Sequence, residues 1–533
     1  MGRSHGRRAL LDHCGPPRGR RRGLVLPRVA VEDDVTPSDA ASARLAELTS
    51  WRSDWSGLRV LVLGLGVAAF SSADTLAELG ADVLVAAHTR HDERARLLDV
   101  IGARLVIDPL ESVPDAVTSF DPEVVVVTSG VFHPDHAVLE WADAHGIAVW
   151  SDVELGWRVR DKVTPAAEWI CITGTNGKTT TTRLAATLLV ADGFRAAPCG
   201  NIGIPVLDAV RDPQGFDVLV VELSSYQLHW LNRNAGGEVF PFSSVCLNLA
   251  EDHLDFHGSM TEYASAKGKV YDNTKVACVY NRADAATLSM VEDADVVEGA
   301  RAIGFGLDAP GPSDFGIVDG ILCDRAFLDD RATAALELTT LDELRTVGLA
   351  APHVVANILA ASALVRSFGV SAQTIHEALE SFRLDAHRIE LVAEAGGVAW
   401  VDDSKATNPH AADASLRAYD SVVWVLGGDL KGVEIDDVVS RHADRLTGVV
   451  VIGVDHEPVL AAFRRHAPNV PIVVVEAGET EQVMPEAVRS AASLAREGDT
   501  VLLAPAAASF DQFSGFAERG DRFAQAVRDF LGG

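Results

Sequence analysis

Trp169-Ile170-Cys171-Ile172-Thr173 runs straight into Gly174-Thr175-Asn176-Gly177-Lys178-Thr179-Thr180, and the reading of this stretch decides the fold. The first five residues are mostly apolar and β-prone. A helical pattern follows the turn, through Arg183-Leu184-Ala185-Ala186-Thr187-Leu188-Leu189. Strand, glycine-flanked loop and helix in that order make a phosphate-binding loop. Gly174 and Gly177 let the backbone curl until several N–H groups point at an anion, and the new helix adds its positive end. Lys178 would reach the β- and γ-phosphates, and the Thr179 hydroxyl would sit on Mg²⁺. The spacing is one or two residues tighter than the usual consensus. A glycine-rich turn with an exposed lysine is the bland alternative, but strand, turn and helix all stand where the motif needs them. The run Gly174–Thr180 is therefore expected to bind a nucleoside triphosphate.

Around this loop lie 533 residues, 48% hydrophobic and 23% charged, an ordinary globular composition with ample material for a core. That length suggests about three or four domains. A net charge of −30 argues against broad binding to nucleic acid or anionic membranes. The cysteines (Cys14, Cys171, Cys199, Cys246, Cys278, Cys323) are scattered without a Cys-x-x-Cys pair, which fits a reducing, cytoplasmic setting. No apolar run reaches the ~18 residues of a membrane span. The first thirty residues differ: eight arginines stand against one acid, Asp12. Such a tail cannot bury a core and predicts disorder over residues 1–40. It is either a functional basic arm or an over-extended gene start, and it lacks the apolar segment of a secretory signal.

Arg59–Leu63 reads as a buried strand, followed by Gly64-Leu65-Gly66-Val67-Ala68-Ala69, a helix to Gly80 and a second strand, Asp82–Ala87. This is the fingerprint of a dinucleotide fold, yet the acid expected at the end of its second strand is missing. Ala87-His88-Thr89-Arg90 stands there instead, so a phosphate-bearing ligand fits better than a nicotinamide dinucleotide. Strands at Glu123–Thr128 and Ile147–Trp150 complete a Rossmann-like domain over residues 41–160, with Ser129-Gly130 at a strand's carboxyl end.

A central domain over 161–384 carries the phosphate loop. Val218–Val221 feed Glu222 at a strand end, where a P-loop enzyme places a second metal-binding acid. Ser244–Leu249 is expected as the next strand, leading to Glu251-Asp252-His253-Leu254-Asp255, either a hard-ligand cluster or a capping cluster. By pattern alone Lys267, in the helical run Tyr263–Lys269, is a surface lysine. Helices from His353 to Arg366 and from Ser371 to Phe382 close this domain. The third, over 385–533, opens with a hairpin about Gly396-Gly397 between Ile389–Ala393 and Val398–Asp402. Strands at Ser421–Leu426, Gly448–Ile452, Pro471–Val475 and Thr500–Ala504 alternate with helices, predicting another largely parallel, Rossmann-like sheet. Loops at Gly427–Gly432 and Ala508–Phe513 should converge at one end of it. The fold class is thus α/β: two Rossmann-like domains flanking a central P-loop ATPase domain.

Together these residues resemble the Mur ligase family, ATP-dependent amide-forming enzymes of peptidoglycan precursor synthesis, over roughly Leu58 to the C-terminus. The phosphate loop and the Glu-Asp-His run carry the general resemblance. Asp403-Ser404-Lys405-Ala406-Thr407-Asn408, Gly427-Gly428-Asp429-Leu430-Lys431-Gly432 and Ser509-Phe510-Asp511-Gln512-Phe513 look like the branch that adds D-glutamate. The resemblance implies that ATP activates the carboxylate of UDP-N-acetylmuramoyl-L-alanine as an acyl phosphate, which the amine of D-glutamate attacks.

It implies site residues as well. Lys178, Glu222, His253 and Lys267 would be catalytic. Two Mg²⁺ ions would be held, one by Thr179 and Glu222, the other by His253 and Lys267, with Lys267 carbamylated by CO₂; the family match thereby reverses the surface reading of that lysine. Asn357, Arg388 and Asp403 would take adenine, phosphate and ribose. Asn201 and Ser224, with His253, would face the muramoyl substrate, and Gly64, Gly66, Thr89, Arg90, Ser129 and Gly130 its UDP end. Lys405, Thr407, Lys431, Ser509 and Phe516 would form the D-glutamate pocket. The sequence departs from the family in lacking a proline between Ser129 and Gly130 and in reading His353-Val354 where a His-Asn pair is common. A sister ligase for another amino acid, a regulatory protein that has lost catalysis, and an NADP oxidoreductase built on the Gly64 turn are the alternatives. The intact Ser404–Asn408 segment, the four catalytic candidates and the central ATP loop weigh against them in turn.

Overall fold

Runs of β-branched residues build three separate sheets in a mixed α/β fold. The computed structural model describes residues 37–128, 132–476 and 478–532. The expectations for residues 1–36, Cys14 included, and for Ser129-Gly130 fall outside these. A helix runs from Pro37 to Glu47, so structure is present ahead of the expected start at Ala41.

The first sheet contains β1 (Arg59–Leu63), β2 (Asp82–Ala87), β3 (Arg104–Ile107), β4 (Val124–Val127) and β5 (Ala148–Ser151), in the order β3-β2-β1-β4-β5. All its pairings are parallel. The order reverses direction between β1 and β4, the switch point at which open α/β sheets bind ligands. Gly64 and Gly66 follow β1 there. Gly80, left-handed at φ +84°, ends the intervening helix as anticipated.

The second sheet has nine strands: β6 (Glu168–Thr173), β7 (Ala196–Gly200), β8 (Val218–Glu222), β9 (Ser243–Cys246), β10 (Ala277–Asn281), β11 (Arg301–Phe305), β12 (Asp314–Val318), β13 (Ile321–Asp324) and β14 (Leu336–Thr340). Strands β7-β8-β6-β9-β10 lie parallel, so their carboxyl ends share one edge. The register sets Glu222 level with Ile172 on one side and Gly200 on the other. The strand expected to reach Leu249 stops at Cys246. Beyond it the chain is diverted: Leu247 N–H still bonds Thr173 O at 2.9 Å, but Leu249 N–H turns to the Asp284 carboxylate at 2.7 Å. Helices Lys178–Ala191 and Pro352–Phe368, both rich in Ala, Leu and Val, pack together on one face of this sheet.

The third sheet comprises β15 (Glu390–Ala395), β16 (Val398–Asp402), β17 (Val422–Leu426), β18 (Leu446–Val451), β19 (Ile472–Val474) and β20 (Thr500–Leu503), in the order β15-β16-β20-β17-β18-β19. Only the β15–β16 hairpin is antiparallel, its turn formed by Gly396 and Gly397, both at positive φ. Asp429 and Ala508 pair across the two loops expected to converge. Cys171, Cys199, Cys246, Cys278 and Cys323 are buried and unpaired. Among the described residues no helix is long and apolar enough to cross a membrane.

One buried ion pair ties the start of the described chain to the rest. Arg158 and Glu154 have no side-chain exposure, and the guanidinium approaches Glu154 Oε1 to 2.8 Å. It also donates to the carbonyls of Leu45, Leu48 and Ala235 and lies 4.2 Å above the Trp150 ring. Removing one partner of such a pair strands the other's charge at about 3–5 kcal/mol. Arg158→Ala should lower unfolding stability by that amount in urea titration, and Arg158→Ala/Glu154→Ala by less than the single substitution, because no isolated charge remains.

Candidate active site

Strand β6 ends at Thr173, and the next residue takes φ +150° at Gly174, where a Cβ would meet Leu247 Cβ at 3.0 Å and Leu247 N at 3.2 Å. Gly177 caps the helix Lys178–Ala191 at φ +85°; a Cβ there would stand 2.4 Å from Asn357 Oδ1. Both glycines are therefore required by conformation and by space. The loop between them is held from outside. Thr175 N–H bonds Asn248 O at 2.9 Å, Asn176 N–H bonds Asn248 Oδ1 at 2.8 Å, and Asn248 Nδ2 returns a bond to Asn176 O at 3.1 Å. The Thr175 hydroxyl lies 3.2 Å from that of Tyr263.

Two lysines converge on this loop. Lys178 Nζ donates to Gly174 O and Thr175 O, each at 2.9 Å. Lys267 Nζ donates to the same Gly174 O at 2.8 Å, with the Tyr263 ring at 4.7 Å. Lys267 is 1% exposed, which corrects the surface reading of its helical pattern. Its short helix, Met260–Gly268, turns this residue inward. Burial, then the neighbouring Lys178, pushes its ammonium down to about 7. Burial lowers Lys178 as well, against the pull of Glu222 and Asp252.

Glu222, 1% exposed at the end of β8, accepts from Asn201 Nδ2 on Oε1 at 2.9 Å, while its Oε2 is buried with no partner. Asn201 N–H also binds the Glu222 carbonyl, a close approach that Gly200 permits. Ser224 sits two residues on as the N-cap of Ser225–Trp230, in a capping box with Gln227. His253, at φ +54°, has its Nδ1 2.6 Å from the Tyr226 hydroxyl and its Nε2 3.6 Å from Asp252 Oδ2. Burial pushes this imidazole down to about 4; Asp252 opposes the shift, and Lys431, Lys178 and Lys267 add to it.

The third sheet brings a second set of groups to the same loop. Asn408 and Asn176 exchange side-chain hydrogen bonds at 3.2 and 3.3 Å, and His410 Nδ1 lies 3.0 Å from Asn176 Nδ2. Between the two sheets a cavity of about 600 Å³ is lined by Gly177, Thr180, Asn357, Arg388, Asp403 and Lys405. Arg388 Nε and His353 Nδ1 are buried there without partners. Burial raises Asp403 to about 6 despite a hydrogen bond from Ser415. Lys405 Nζ stands 3.7 Å over the Phe516 ring, so this residue borders both the cavity and the Phe516 side of the cleft. Thr407 N–H bonds Lys405 O at 2.9 Å, Ser509 is 2% exposed, and Lys431 takes φ +51° in its loop. The UDP-directed candidates lie apart from this centre, on the first sheet, where Thr89 and Arg90 are exposed and Arg90 pairs with Asp92.

Several residues at the centre escaped the sequence reading. Tyr226, Asn248, Tyr263, Asn408 and His410 carry no spacing signal, although Asn408 stands inside a quoted motif; Asp252 belongs to the acid–acid–His cluster read from the sequence. Arg519 is the clearest case. Buried in the last helix, it binds Ser404 Oγ and O and Ala507 O, stapling two active-site loops together.

Comparison with known proteins matches residues 172–365 to the Mur ligase middle domain and 387–507 to the Mur ligase glutamate ligase domain. A protein of Leifsonia xyli subsp. xyli named UDP-N-acetylmuramoylalanine–D-glutamate ligase is 68% identical over 501 residues, 93% of this chain and 97% of its own. The chain belongs to the Mur ligase family. A second relative of that name, from Streptomyces avermitilis, is 48% identical over 89% of this chain and 99% of its own. Solved Mur ligase structures share the fold at lower identity. The UDP-N-acetylmuramate–alanine ligase of Thermotoga maritima is 19% identical with TM-score 0.52, and covers 89% of this chain and 99% of its own. The MurF ligase of the same organism, solved with ADP, is 17% identical with TM-score 0.51, over 89% and 99%.

Gly177→Ala tests the cavity wall directly. The substitution forces a left-handed alanine, at about 1–2 kcal/mol, and displaces the Asn357 amide. Nucleotide binding measured by calorimetry should weaken at least tenfold while the circular dichroism spectrum is unchanged.

Proposed function

We propose that this Mur ligase joins D-glutamate to UDP-N-acetylmuramoyl-L-alanine at the expense of ATP, in peptidoglycan synthesis. The observation that carries the residue assignments is Glu222 Oε2: a buried, unpartnered carboxylate oxygen beside two lysines at the foot of a phosphate loop. A buried acceptor without a donor fits a hard cation. Thr179 and Glu222 would hold one Mg²⁺. Lys267 as an amine is no cation ligand, but carbamylated by CO₂ it would offer oxygens and, with His253, hold a second. These ions would neutralise the charge that accumulates on the transferring phosphoryl group.

The chain's own groups position the reactants. The N–H groups and Lys178 of the loop Gly174–Thr180 bind the triphosphate. Asn357, Arg388 and Asp403 hold the adenine, phosphate and ribose across the cavity between the two sheets. Arg388 brings to that task a guanidinium with a buried, unpartnered Nε. Asn201 and Ser224, beside His253, orient the lactyl-alanine carboxylate that takes the γ-phosphoryl group and becomes an acyl phosphate. The division into residues 41–160 for UDP, 161–384 for ATP and 385–533 for the amino acid belongs to the same reading. The UDP end rests on Gly64, Gly66, Thr89 and Arg90.

D-Glutamate carries two carboxylates, and separate loops supply anchors for them: Lys405 and Thr407, Lys431, and Ser509 with Phe516. Two anchors and the attacking amine define three points, which distinguish a D from an L centre. L-Glutamate could keep both anchors only by swinging its amine away from the acyl phosphate, and a misplacement of about 1 Å costs ~10²-fold in rate. Purified enzyme should release ADP only with UDP-N-acetylmuramoyl-L-alanine and D-glutamate together, and Lys431→Ala should raise the KM for D-glutamate far more than that for ATP. Comparable incorporation of L-glutamate or D-aspartate would refute the pocket.

Lys267→Ala should abolish turnover. Formate or acetate in the buffer should restore part of it, because the missing piece is a carboxylate-like group. Absence of rescue, with no added mass on Lys267 in native mass spectrometry of wild-type enzyme under CO₂, would count against carbamylation.

A further inference from the structure

We propose that Tyr226 is the positioning residue for His253, fixing which imidazole nitrogen faces the reacting groups; the inference rests on the reading of His253 as a cation ligand. A neutral imidazole carries a single N–H, and its partner decides which nitrogen keeps the lone pair. In His253 the partner is the Tyr226 hydroxyl, 2.6 Å from Nδ1. A cation at Nε2 requires a lone pair there. The proton then sits on Nδ1, and the phenol oxygen accepts it.

Everything around the phenol restricts its movement. The Tyr226 ring stands edge-on to Phe256, centroids 4.7 Å apart, and stacks over His257 at 6.1 Å with an interplanar angle of 7°. Its backbone lies in the first turn of Ser225–Trp230, which the Ser224–Gln227 capping box closes. The Gln227 amide is anchored in turn to both oxygens of buried Asp152, each at 3.2 Å. The imidazole is fixed from its own side as well. His253 sits in a left-handed conformation, and the Phe256 carbonyl three residues later is bound by His133 Nε2 at 2.8 Å. With Nδ1 committed to the phenol, Nε2 is left on the side of Asp252.

This geometry gives one segment two tasks. Glu222, at the end of β8, points an oxygen at the site. Tyr226, four residues later in the first turn of the next helix, aims a second group carried by the segment that follows β9. Partners of this kind set ligand orientation and basicity, and losing one typically costs 10–100-fold in metal affinity.

The test uses the full-length enzyme with a non-hydrolysable ATP analogue and Mn²⁺ as the probe, titrated by electron paramagnetic resonance. Tyr226→Phe keeps the ring and removes only the oxygen. It should melt like wild type, bind Mn²⁺ about tenfold or more weakly at the site that His253→Ala also weakens, and lower kcat with little change in KM for D-glutamate. If His253→Ala loses that site while Tyr226→Phe binds as wild type, the role of Tyr226 is overturned and the reading of His253 stands. If His253→Ala binds as wild type, the reading of His253 falls, and the proposal with it. A measurement on unaltered protein removes any dependence on variant folding. ¹⁵N spectra of histidine-labelled enzyme with Mg²⁺ and the analogue should place the His253 proton on Nδ1; a proton on Nε2 would overturn the proposal.

Discussion

Two lysine ammoniums share one carbonyl oxygen, that of Gly174, at 2.9 and 2.8 Å. The rest of the site depends on this contact. Like charges held this close beneath a protein surface repel, and the fold offsets the repulsion in two ways. Burial and Lys178 push Lys267 toward its neutral form. The carboxylates of Glu222 and Asp252 act on both lysines with the opposite sign. What makes the shared acceptor possible is backbone geometry: only glycine reaches φ +150° there, and a side chain would strike Leu247. An anion with several negative oxygens meets a loop whose lysine, Lys178, is already held in place, so little reorganisation is needed when charge develops.

The second constraint is that the site is made from two sheets that touch through few residues. Asn176, inside the phosphate loop, pairs with Asn408 at the start of a helix belonging to the third sheet, and Asn408 also approaches Asp252 at 3.5 Å. An ion pair between Arg183 and Asp385 joins the two bodies at the connecting segment. That segment carries His387 and Ile389, both at positive φ, immediately either side of Arg388. Non-glycine residues held in this region store backbone strain and persist only where neighbours over-determine them. His387 is so held, its Nδ1 bonded to buried Asp402 at 2.7 Å. The strained segment thus delivers Arg388 to the cavity from a fixed support.

Legibility followed the range of each signal. The glycine-flanked loop, the Gly64 turn, the Gly396-Gly397 hairpin and most apolar strands are local patterns, and the chain forms them close to the expected positions, the strand cut short at Cys246 being an exception. Strands β3 and β7 escaped because Arg104–Ile107 is short and Ala196–Gly200 contains Pro198 and ends in glycine, so neither shows a clean apolar run. The chain from β10 to β14 was passed over because its strands extend an existing sheet rather than begin a new unit. Lys267 shows the limit best. Nothing in its helix distinguishes it from a surface lysine, and its burial arises from packing against a loop 93 residues earlier. Resemblance to a family supplied what periodicity could not. Tyr226 and Arg519 were invisible to both, since their roles are contacts between segments that the sequence does not link.

The fold leaves certain buried polar atoms unsatisfied. Buried donors and acceptors without partners cost about 1–3 kcal/mol each, and native chains avoid them. Here Glu222 Oε2, Arg388 Nε and His353 Nδ1 are all unpartnered, and all lie at the phosphate loop or the cavity beside it. Unpartnered buried atoms occur elsewhere too, on Trp150, Trp169, Arg282 and His442 among others, whereas Arg158 finds acceptors on Glu154, Leu45, Leu48 and Ala235, and Arg519 on Ser404 and Ala507. What sets these three atoms apart is their place: Glu222 stands at the end of β8 beside the phosphate loop, and Arg388 and His353 line the cavity between the second and third sheets described above. A ligand that supplied the missing partners would return the stability withheld from the free protein, so its binding and the rigidity of the centre would be thermodynamically one event.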